Sequence, residues 1–320
     1  MSRRPVIAVL GASGFIGTAV MAALAPRPVT VRAVARGPAL VPENALADYE
    51  VHTADLTVAA NLAEVVAGAD AVIHLVLDGA GWRGAGNREH ESASVGVMRD
   101  LLDCLRGQAV ERPPVVVFAG SVTQVGPPPR TPIDGTEPDR PMTDYDRQKL
   151  AAEGLLKAAS ADRVVLGVSL RLPTVFGLPT DRDRGVLAAM TRRALAGEAL
   201  TMWHDGSVRR ELLDVEDVAA AFVAALDHAD ALAGRHWLLG NDRSDRIGDV
   251  FTAIAELVAE HTGRPRVPVC SVPPPAHAQR TDFESVAVDS SAFRAATGWR
   301  PRTPQREALA RMVMATAARP

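Results

Sequence analysis

The sequence predicts an α/β fold, a doubly wound parallel sheet with a smaller carboxyl-terminal substrate lobe. Short β-rich apolar runs alternate with helical patterns through the first half of the 320 residues. That alternation signals a parallel sheet joined by crossover helices. A glycine-rich turn directly follows the first run, and beyond Gly177 the alternation loosens.

In order, the strand candidates are Val6–Leu10, Thr30–Ala35, Glu50–Ala54, Ala71–Val76, Val115–Ala119 and Val164–Leu170. Near-continuous apolar runs of this kind suit strands covered on both faces. Helices fit between them, around Ile16–Leu24, Ala60–Val66, Val95–Leu105 and Tyr145–Ala159. Later helices are expected around Gly185–Ala196, Val215–Asp227 and Ile247–His261, with short strands near Leu200–Trp203 and His236–Leu239. Pro268 to Pro275 carries four prolines and is expected to run extended over the surface. The expected division is a dinucleotide-binding domain over 1–177, also receiving 215–245, with 178–214 and 246–320 forming the lobe.

Composition narrows the function. Hydrophobic content of 47% with 23% charged residues suits a soluble enzyme. A net charge of −3 gives no electrostatic case for nucleic acid or an anionic membrane. Cys104 and Cys270 lie far apart, outside any metal or redox spacing. Arg3 and Arg4 before Val6–Leu10 mimic a signal peptide, but the apolar run breaks at Gly11. With no apolar run near ~18–20 residues, the chain is expected to be cytoplasmic.

Gly11-Ala12-Ser13-Gly14-Phe15-Ile16-Gly17 joins the first strand to the first helix. Glycines there allow a tight turn and close backbone approach to a pyrophosphate, while the helix amino terminus offers free N–H groups. Between a first strand and a first helix it is expected to be the dinucleotide-binding turn of a Rossmann-type sheet; an ordinary turn is the other reading. Arg36 ends the second strand, and no acid stands beside it. An arginine there suits a 2′-phosphate, so NADPH/NADP is the expected cofactor; a solvated strand end is the other reading. Asp55 is placed either to hold the adenine amino group or to cap the next helix.

Only two tyrosines and two lysines occur in the chain, and one of each falls in Tyr145-Asp146-Arg147-Gln148-Lys149. On a helix, positions i and i+4 share a face. A nearby cation is expected to lower the phenol pKa and make Tyr145 a proton carrier near neutrality. The alternative is a solvated helix face.

With these pieces the chain resembles the extended short-chain dehydrogenase/reductases, the NAD(P)-dependent sugar epimerase/dehydratase group. The resemblance runs through Ala69-Asp70-Ala71-Val72-Ile73-His74-Leu75, Leu170-Arg171-Leu172-Pro173-Thr174-Val175-Phe176-Gly177, Arg209-Arg210-Glu211-Leu212-Leu213-Asp214 and Gly298-Trp299-Arg300-Pro301. It implies that Tyr145 protonates a carbonyl oxygen, that Ser121 hydrogen-bonds that oxygen, and that Lys149 binds the nicotinamide ribose while depressing the Tyr145 pKa. Thr123 is a second hydroxyl able to stand in for Ser121. The implied cofactor set is Gly11, Ser13, Gly14, Phe15, Ile16, Gly17, Arg36, Asp55, Leu56, Leu75, Lys149, Pro173 and Val175.

Dehydratases of the group carry an Asp-Glu pair after the catalytic threonine; here Val122 and Thr123 occupy those positions. The run Ala196 to Arg210 is similar to the actinobacterial 4-ketoreductases of antibiotic deoxysugar pathways. The substrate that similarity implies is a dTDP-linked 4-keto-6-deoxyhexose. Arg210 is expected on the diphosphate, with Thr174 and Thr123 as lesser contacts and Arg280 as a weaker candidate. Trp82, in the glycine-rich stretch 78–87, is expected either in a lid over the substrate or as a structural residue. His74 reads as a satisfied core histidine, and His204 has no identifiable partner. Ser94 stands where many relatives carry an asparagine. The helices Val95–Leu105 and Tyr145–Ala159 form a dimer seam in many relatives, which offers a homodimer while the sequence leaves the oligomeric state open. The rivals are an epimerase using bound NAD, an NADP-binding regulator without turnover and a reductase of non-sugar ketones.

Overall fold

The computed structural model describes residues 3–77, 92–108, 111–178, 185–276, 278 and 280–318. The chain runs β1 (Val6–Leu10), α1 (Phe15–Leu24), β2 (Thr30–Ala35), β3 (Asp48–Thr53), α2 (Ala59–Val66) and β4 (Ala71–His74). It continues through α3 (Val97–Arg106), β5 (Val115–Ser121), α4 (Asp144–Ala161), β6 (Leu166–Leu172) and β7 (Thr174–Phe176). Then come α5 (Val186–Leu195), β8 (Leu200–Met202), β9 (Arg209–Asp214), α6 (Val215–Asp227), α7 (Ala229–Leu232) and β10 (Arg235–Leu238). The last elements are β11 (Ser244–Arg246), α8 (Ile247–Thr262), β12 (Val269–Ser271), α9 (Ser291–Thr297) and α10 (Gln305–Ala317).

Seven strands form the main sheet in the order β10-β6-β5-β4-β1-β2-β3. Every pairing in it is parallel. The strand order reverses between β1 and β4, and in such sheets ligands bind outside the carboxyl ends at that switch. Leu10 and His74, paired across the switch, therefore mark the floor of the crevice.

Side-chain alternation sends the two faces of each strand into separate cores. Ile7 and Val9 pack with Met21, Leu24 and Phe222 under α1 and α6. Val6, Ala8 and Leu10 pack with Leu62, Leu101, Phe118 and Leu156 under α2, α3 and α4. A third core, including Phe176, Leu212, Phe251, Ile254 and Met312, joins α5, α8 and α10 to the small sheet β11-β9-β7.

Several elements differ from expectation. β3 starts at Asp48 and has no buried residue, because it is the sheet's edge and one side faces solvent. β4 ends at His74, two residues before Val76. A π-helical turn, Ser92–Gly96, precedes α3 and holds Ser94, which is buried. The proline-rich segment is extended, but Val269–Ser271 also pairs in parallel with β8. β7, β9, α9 and α10 had no expected counterpart. β9 carries four charged residues among its six and therefore has no apolar run, yet Glu211 through Asp214 are buried.

Candidate active site

The glycine turn forms a cradle at the carboxyl end of β1. Gly11 has φ +93°, and a Cβ there would lie 3.0 Å from the Leu75 carbonyl oxygen. A Cβ on Gly17 would come within 2.2 Å of the Gly11 carbonyl oxygen, so only glycine lets α1 start against the strand. Gly14 is the N-cap of α1 and no side chain caps it. The first N–H groups of the helix thus face the crevice as an anion site. This cradle fits a dinucleotide pyrophosphate. Ser13, Phe15 and Ile16 lie half-buried around it. Leu75 closes its far wall, bonded through its N–H to the Leu10 carbonyl at 2.9 Å.

Arg36 is exposed at the end of β2. Its charge reaches Asp55 and helps hold that carboxyl below its usual range, after the larger effect of the Thr57 hydrogen bonds. Asp55 Oδ1 accepts from Thr57 N at 3.0 Å and Thr57 Oγ1 at 2.7 Å, so it shapes the turn before α2. Leu56 is buried in the core below. Pro173 is buried and Val175 half-buried where β6 passes into β7.

Ser121, Thr123, Tyr145 and Lys149 come together between the end of β5 and the first turns of α4. Ser121 Oγ lies 2.7 Å from Thr123 Oγ1, and Thr123 Oγ1 donates to Asp146 Oδ1 at 2.5 Å. Lys149 is buried, donates to the Ala119 carbonyl at 2.7 Å and stands 5.8 Å from the Tyr145 ring centroid. Burial lowers the Lys149 pKa to about 8.

The phenol departs from expectation. Its pKa is pushed up to about 12, first by burial and then by the Asp146 charge, with a Ser121 hydrogen bond pulling the other way. Tyr145 as a whole is half-buried. Desolvation opposes the phenolate more strongly than Lys149 favours it. Tyr145 is thus a loaded acid in this state, not a half-ionised group near neutrality.

His74 is a core histidine, as expected, but not a satisfied one. It is fully buried, and neither ring nitrogen has a partner among the described residues. Burial, with the Lys149 charge adding to it, drops its pKa to about 3, so the ring is neutral.

The expected substrate contacts are dispersed. Thr123 lines a small, largely apolar recess of about 30 Å³ with Val122, Met142, Arg280, Glu284 and Val286. With its proton on Asp146, Thr123 can only accept from a substrate there. Thr174 lies in β7, opposite Leu212 of β9. Arg210 corrects the expectation of a free diphosphate fork. Its Nη1 donates to the carbonyls of Arg209 (3.1 Å) and Glu284, and its Nη2 to those of Thr281 (3.2 Å) and Asp282 (2.8 Å). These bonds pin the 280–284 turn and leave a diphosphate only the Nε–H. Arg280 is exposed and paired with Glu284 at 3.2 Å. His204, without an identifiable partner in the sequence, accepts from Gly206 N through Nδ1 at 2.9 Å. Trp82 and the whole 78–87 stretch lie outside the described residues.

Residues 7–240 match the NAD dependent epimerase/dehydratase family. The chain belongs to that family. A 2′-dehydrokanamycin reductase from Streptomyces kanamyceticus is 32% identical over 253 residues, 75% of this chain, and the match spans 65% of that protein. A dTDP-6-deoxy-L-talose 4-dehydrogenase (NAD(P)(+)) from Kitasatospora kifunensis is 30% identical over 315 residues, covering 95% of this chain and 93% of its own. The structure of MoeE5 in complex with UDP-glucuronic acid and NAD superposes with a TM-score of 0.80 at 26% identity, covering 98% of each chain. No helix among this chain's described residues is long and apolar enough to cross a membrane.

In this family member the support of the site lay outside the sequence reading. Glu153 and Arg171, both fully buried, bind through Arg171 Nε–Glu153 Oε2 at 3.0 Å and Nη2–Oε1 at 2.7 Å, fixing α4 to β6. Gln124 donates to Glu153 at 3.2 Å and accepts from Ser121 N at 2.7 Å, carrying that anchorage to the end of β5. Asp146 was equally missed. Its signal was the Thr143-x-x-Asp146 spacing, a capping pattern whose carboxylate also reaches the Thr123 hydroxyl.

Proposed function

We propose that the chain reduces the 4-keto group of a dTDP-4-keto-6-deoxyhexose with NADPH. The observation that carries this is the convergence of Ser121, Tyr145 and Lys149, where desolvation holds the phenol pKa up at about 12 and so favours the protonated form that carbonyl reduction requires. The reduced nicotinamide supplies hydride when bound. Gly11, Ser13, Gly14 and Gly17 hold the pyrophosphate, Arg36 the 2′-phosphate and Lys149 the nicotinamide ribose. Asp55 and Leu56 border the adenine; Leu75, Pro173 and Val175 border the ring pocket. As the carbonyl carbon gains hydride, Tyr145 gives its proton to the oxygen and Ser121 hydrogen-bonds it. Val122 and Thr123 offer no carboxylates for elimination of water, which sets dehydration aside. Reduction during deoxysugar synthesis for a glycosylated natural product fits this reading.

A second reading is favoured by Arg210. A guanidinium held by four carbonyls gives a diphosphate little to grip, and a relative is a 2′-dehydrokanamycin reductase. On that reading the substrate is a ketone on a sugar without a nucleotide.

One experiment separates these readings: NADPH or NADH oxidation with a panel of dTDP-4-ketosugars and nucleotide-free ketosugars, with product configuration determined. Turnover of the dTDP compounds with NADPH is expected. Turnover confined to nucleotide-free sugars selects the second reading. Copurified NAD with isomerisation and no reductant required would indicate an epimerase. No oxidation of either cofactor with any ketosugar overturns the reductase reading. Tyr145→Phe is expected to lower kcat by ~10²–10⁴ with NADPH affinity retained; unaltered turnover refutes the acid role.

A further inference from the structure

The small recess beside Thr123 is the open face of a fourth apolar cluster, and it adjoins the catalytic hydroxyl. Val122, Val125, Ile133, Leu238 and Val288 are buried together there, with Val286 packed against them. Val122, Ile133 and Val286 line the recess with Pro127 and Met142. Thr123, which also lines it, has its hydroxyl 2.7 Å from Ser121 Oγ.

Backbone bonds fix the opposite wall, the strap 280–289. Val286 N donates to the Arg209 carbonyl at 3.0 Å, Ile133 N to the Ala287 carbonyl at 2.9 Å and Asp289 N to the Ile133 carbonyl at 2.8 Å. Arg210 pins the 280–284 turn through three of its carbonyls. The strap is thus held from β9 on one side and from the segment after β5 on the other.

Size and polarity restrict what enters. A single water needs about 10–15 Å³ of cavity, so about 30 Å³ admits one or two heavy atoms and excludes a sugar ring or a phosphate. The charged groups at the edge are engaged with each other, Arg280 Nε lying 3.2 Å from Glu284 Oε1. A hydroxyl placed here exchanges water for apolar walls, which is a costly transfer. A methyl group placed here leaves water favourably. A carbonyl oxygen held by Ser121 brings the substituents of its flanking carbons, not the far end of the substrate, to the Thr123 side.

We propose that this recess receives the methyl group borne by the carbon beside the carbonyl, carbon 6 of a 4-keto-6-deoxyhexose. It thereby selects 6-deoxy sugars over sugars with a hydroxymethyl group at that place, and Val122, Met142 and Val286 are its specificity-determining side chains. The assignment rests on the reductase reading above. It applies with or without a nucleotide on the sugar, because the recess lies at the carbonyl end.

The test uses three 4-ketosugars that differ only in the group on carbon 5: methyl, hydroxymethyl or hydrogen. Each is offered dTDP-linked and nucleotide-free, with NADPH. The methyl compound is expected to show a kcat/KM about 10–100-fold above the other two. Most of the difference should lie in KM, since the methyl contact is the same in ground state and transition state. Val286→Phe is expected to fill the recess and bring the methyl compound down to the level of the hydrogen compound. The hydrogen compound needs no room there, so its continued turnover shows that the variant's site is intact. Val286→Ile adds a single carbon and should give a smaller loss of the same kind, which decides the matter where Val286→Phe does not fold. Equal kcat/KM for the three compounds overturns the proposal and leaves the reductase reading standing. So does a methyl preference that survives these substitutions. Turnover of none of the three defeats the reductase reading, and the assignment falls with it.

Discussion

Two buried carboxylates each join neighbouring elements, and their surroundings are opposite. Glu153, fully buried, receives Arg171 through two bonds, Lys157 at 2.6 Å and Ser169 at 2.8 Å. His236, with Nδ1 3.4 Å from Glu153 Oε1, then Arg171 and Lys157 overcome the burial penalty and hold its pKa far below the usual carboxylate range. Glu211, 1% exposed, has no paired cation among the described residues: backbone N–H groups of Asn241 (2.7 Å), Arg243 (3.3 Å) and Val288 (3.4 Å) hold it. Burial dominates there and lifts its pKa to about 7. The helix bearing Tyr145 and Lys149 thus rests on a permanently ionised joint. The strand bearing Arg210 rests on one that titrates near neutrality.

The strongest way to break the comparison is Arg171→Leu. It leaves Glu153 and Asp139 without their buried cation, and removing one partner of a buried pair costs about 3–5 kcal/mol. Urea unfolding at pH 7 should show a loss of that size. The double variant Arg171→Leu/Glu153→Leu should recover part of it, because no unpaired charge is left at Glu153. A single-variant loss below about 1 kcal/mol would remove the distinction between the two joints.

Much of the cofactor half was legible because its signals are local. The glycine turn works through backbone, so the spacing of Gly11, Gly14 and Gly17 is the cradle itself. Tyr145 and Lys149 share a helix turn, and their meeting needs only the period of an α-helix. The direction of the Tyr145 pKa was not legible, since burial and the Thr123–Asp146 contact are products of packing between β5 and α4. Arg210 shows the same limit. Its sequence position suggests a free fork, but three carbonyls from a turn some seventy residues away, with that of neighbouring Arg209, occupy it. β9 escaped notice because Glu211 and Asp214 interrupt the apolar pattern while being buried by neighbours remote in sequence.

A smaller effect follows from Glu211, and its sign is opposite to that of Glu153. A carboxyl with a folded pKa near 7 and an unfolded value of 4.5 contributes most below pH 4.5. That contribution is lost as pH rises through 7. The swing is up to about 3 kcal/mol. Glu153, with its pKa lowered, contributes fully above the unfolded value and loses that contribution as pH falls below it. Glu211→Gln should therefore be nearly neutral or slightly destabilising at pH 4.5, where the Val288 bond is lost, and stabilising relative to the parent at pH 8. Unfolding free energies of both proteins across that range test this; a difference independent of pH would place Glu211 with the paired carboxylate.

The smallest expected effect sharpens the account of which cation matters at Glu153. Lys157 also reaches His236 Nδ1 at 2.8 Å, and its side chain is 33% exposed against 0% for Arg171. Water screens its charge, and partly exposed pairs of this kind contribute ~0.2–1 kcal/mol. Lys157→Met should therefore cost less than about 1 kcal/mol in the same urea measurement, and raised salt should shrink the difference further. Its i,i+4 placement on α4 makes it look like the partner of Glu153 in the sequence, while Arg171 lies eighteen residues on, in a strand. A loss as large as that of Arg171→Leu would mean that the helix, not the sheet, supplies the cation that keeps Glu153 ionised. The catalytic turn of α4 would then be anchored from within its own helix.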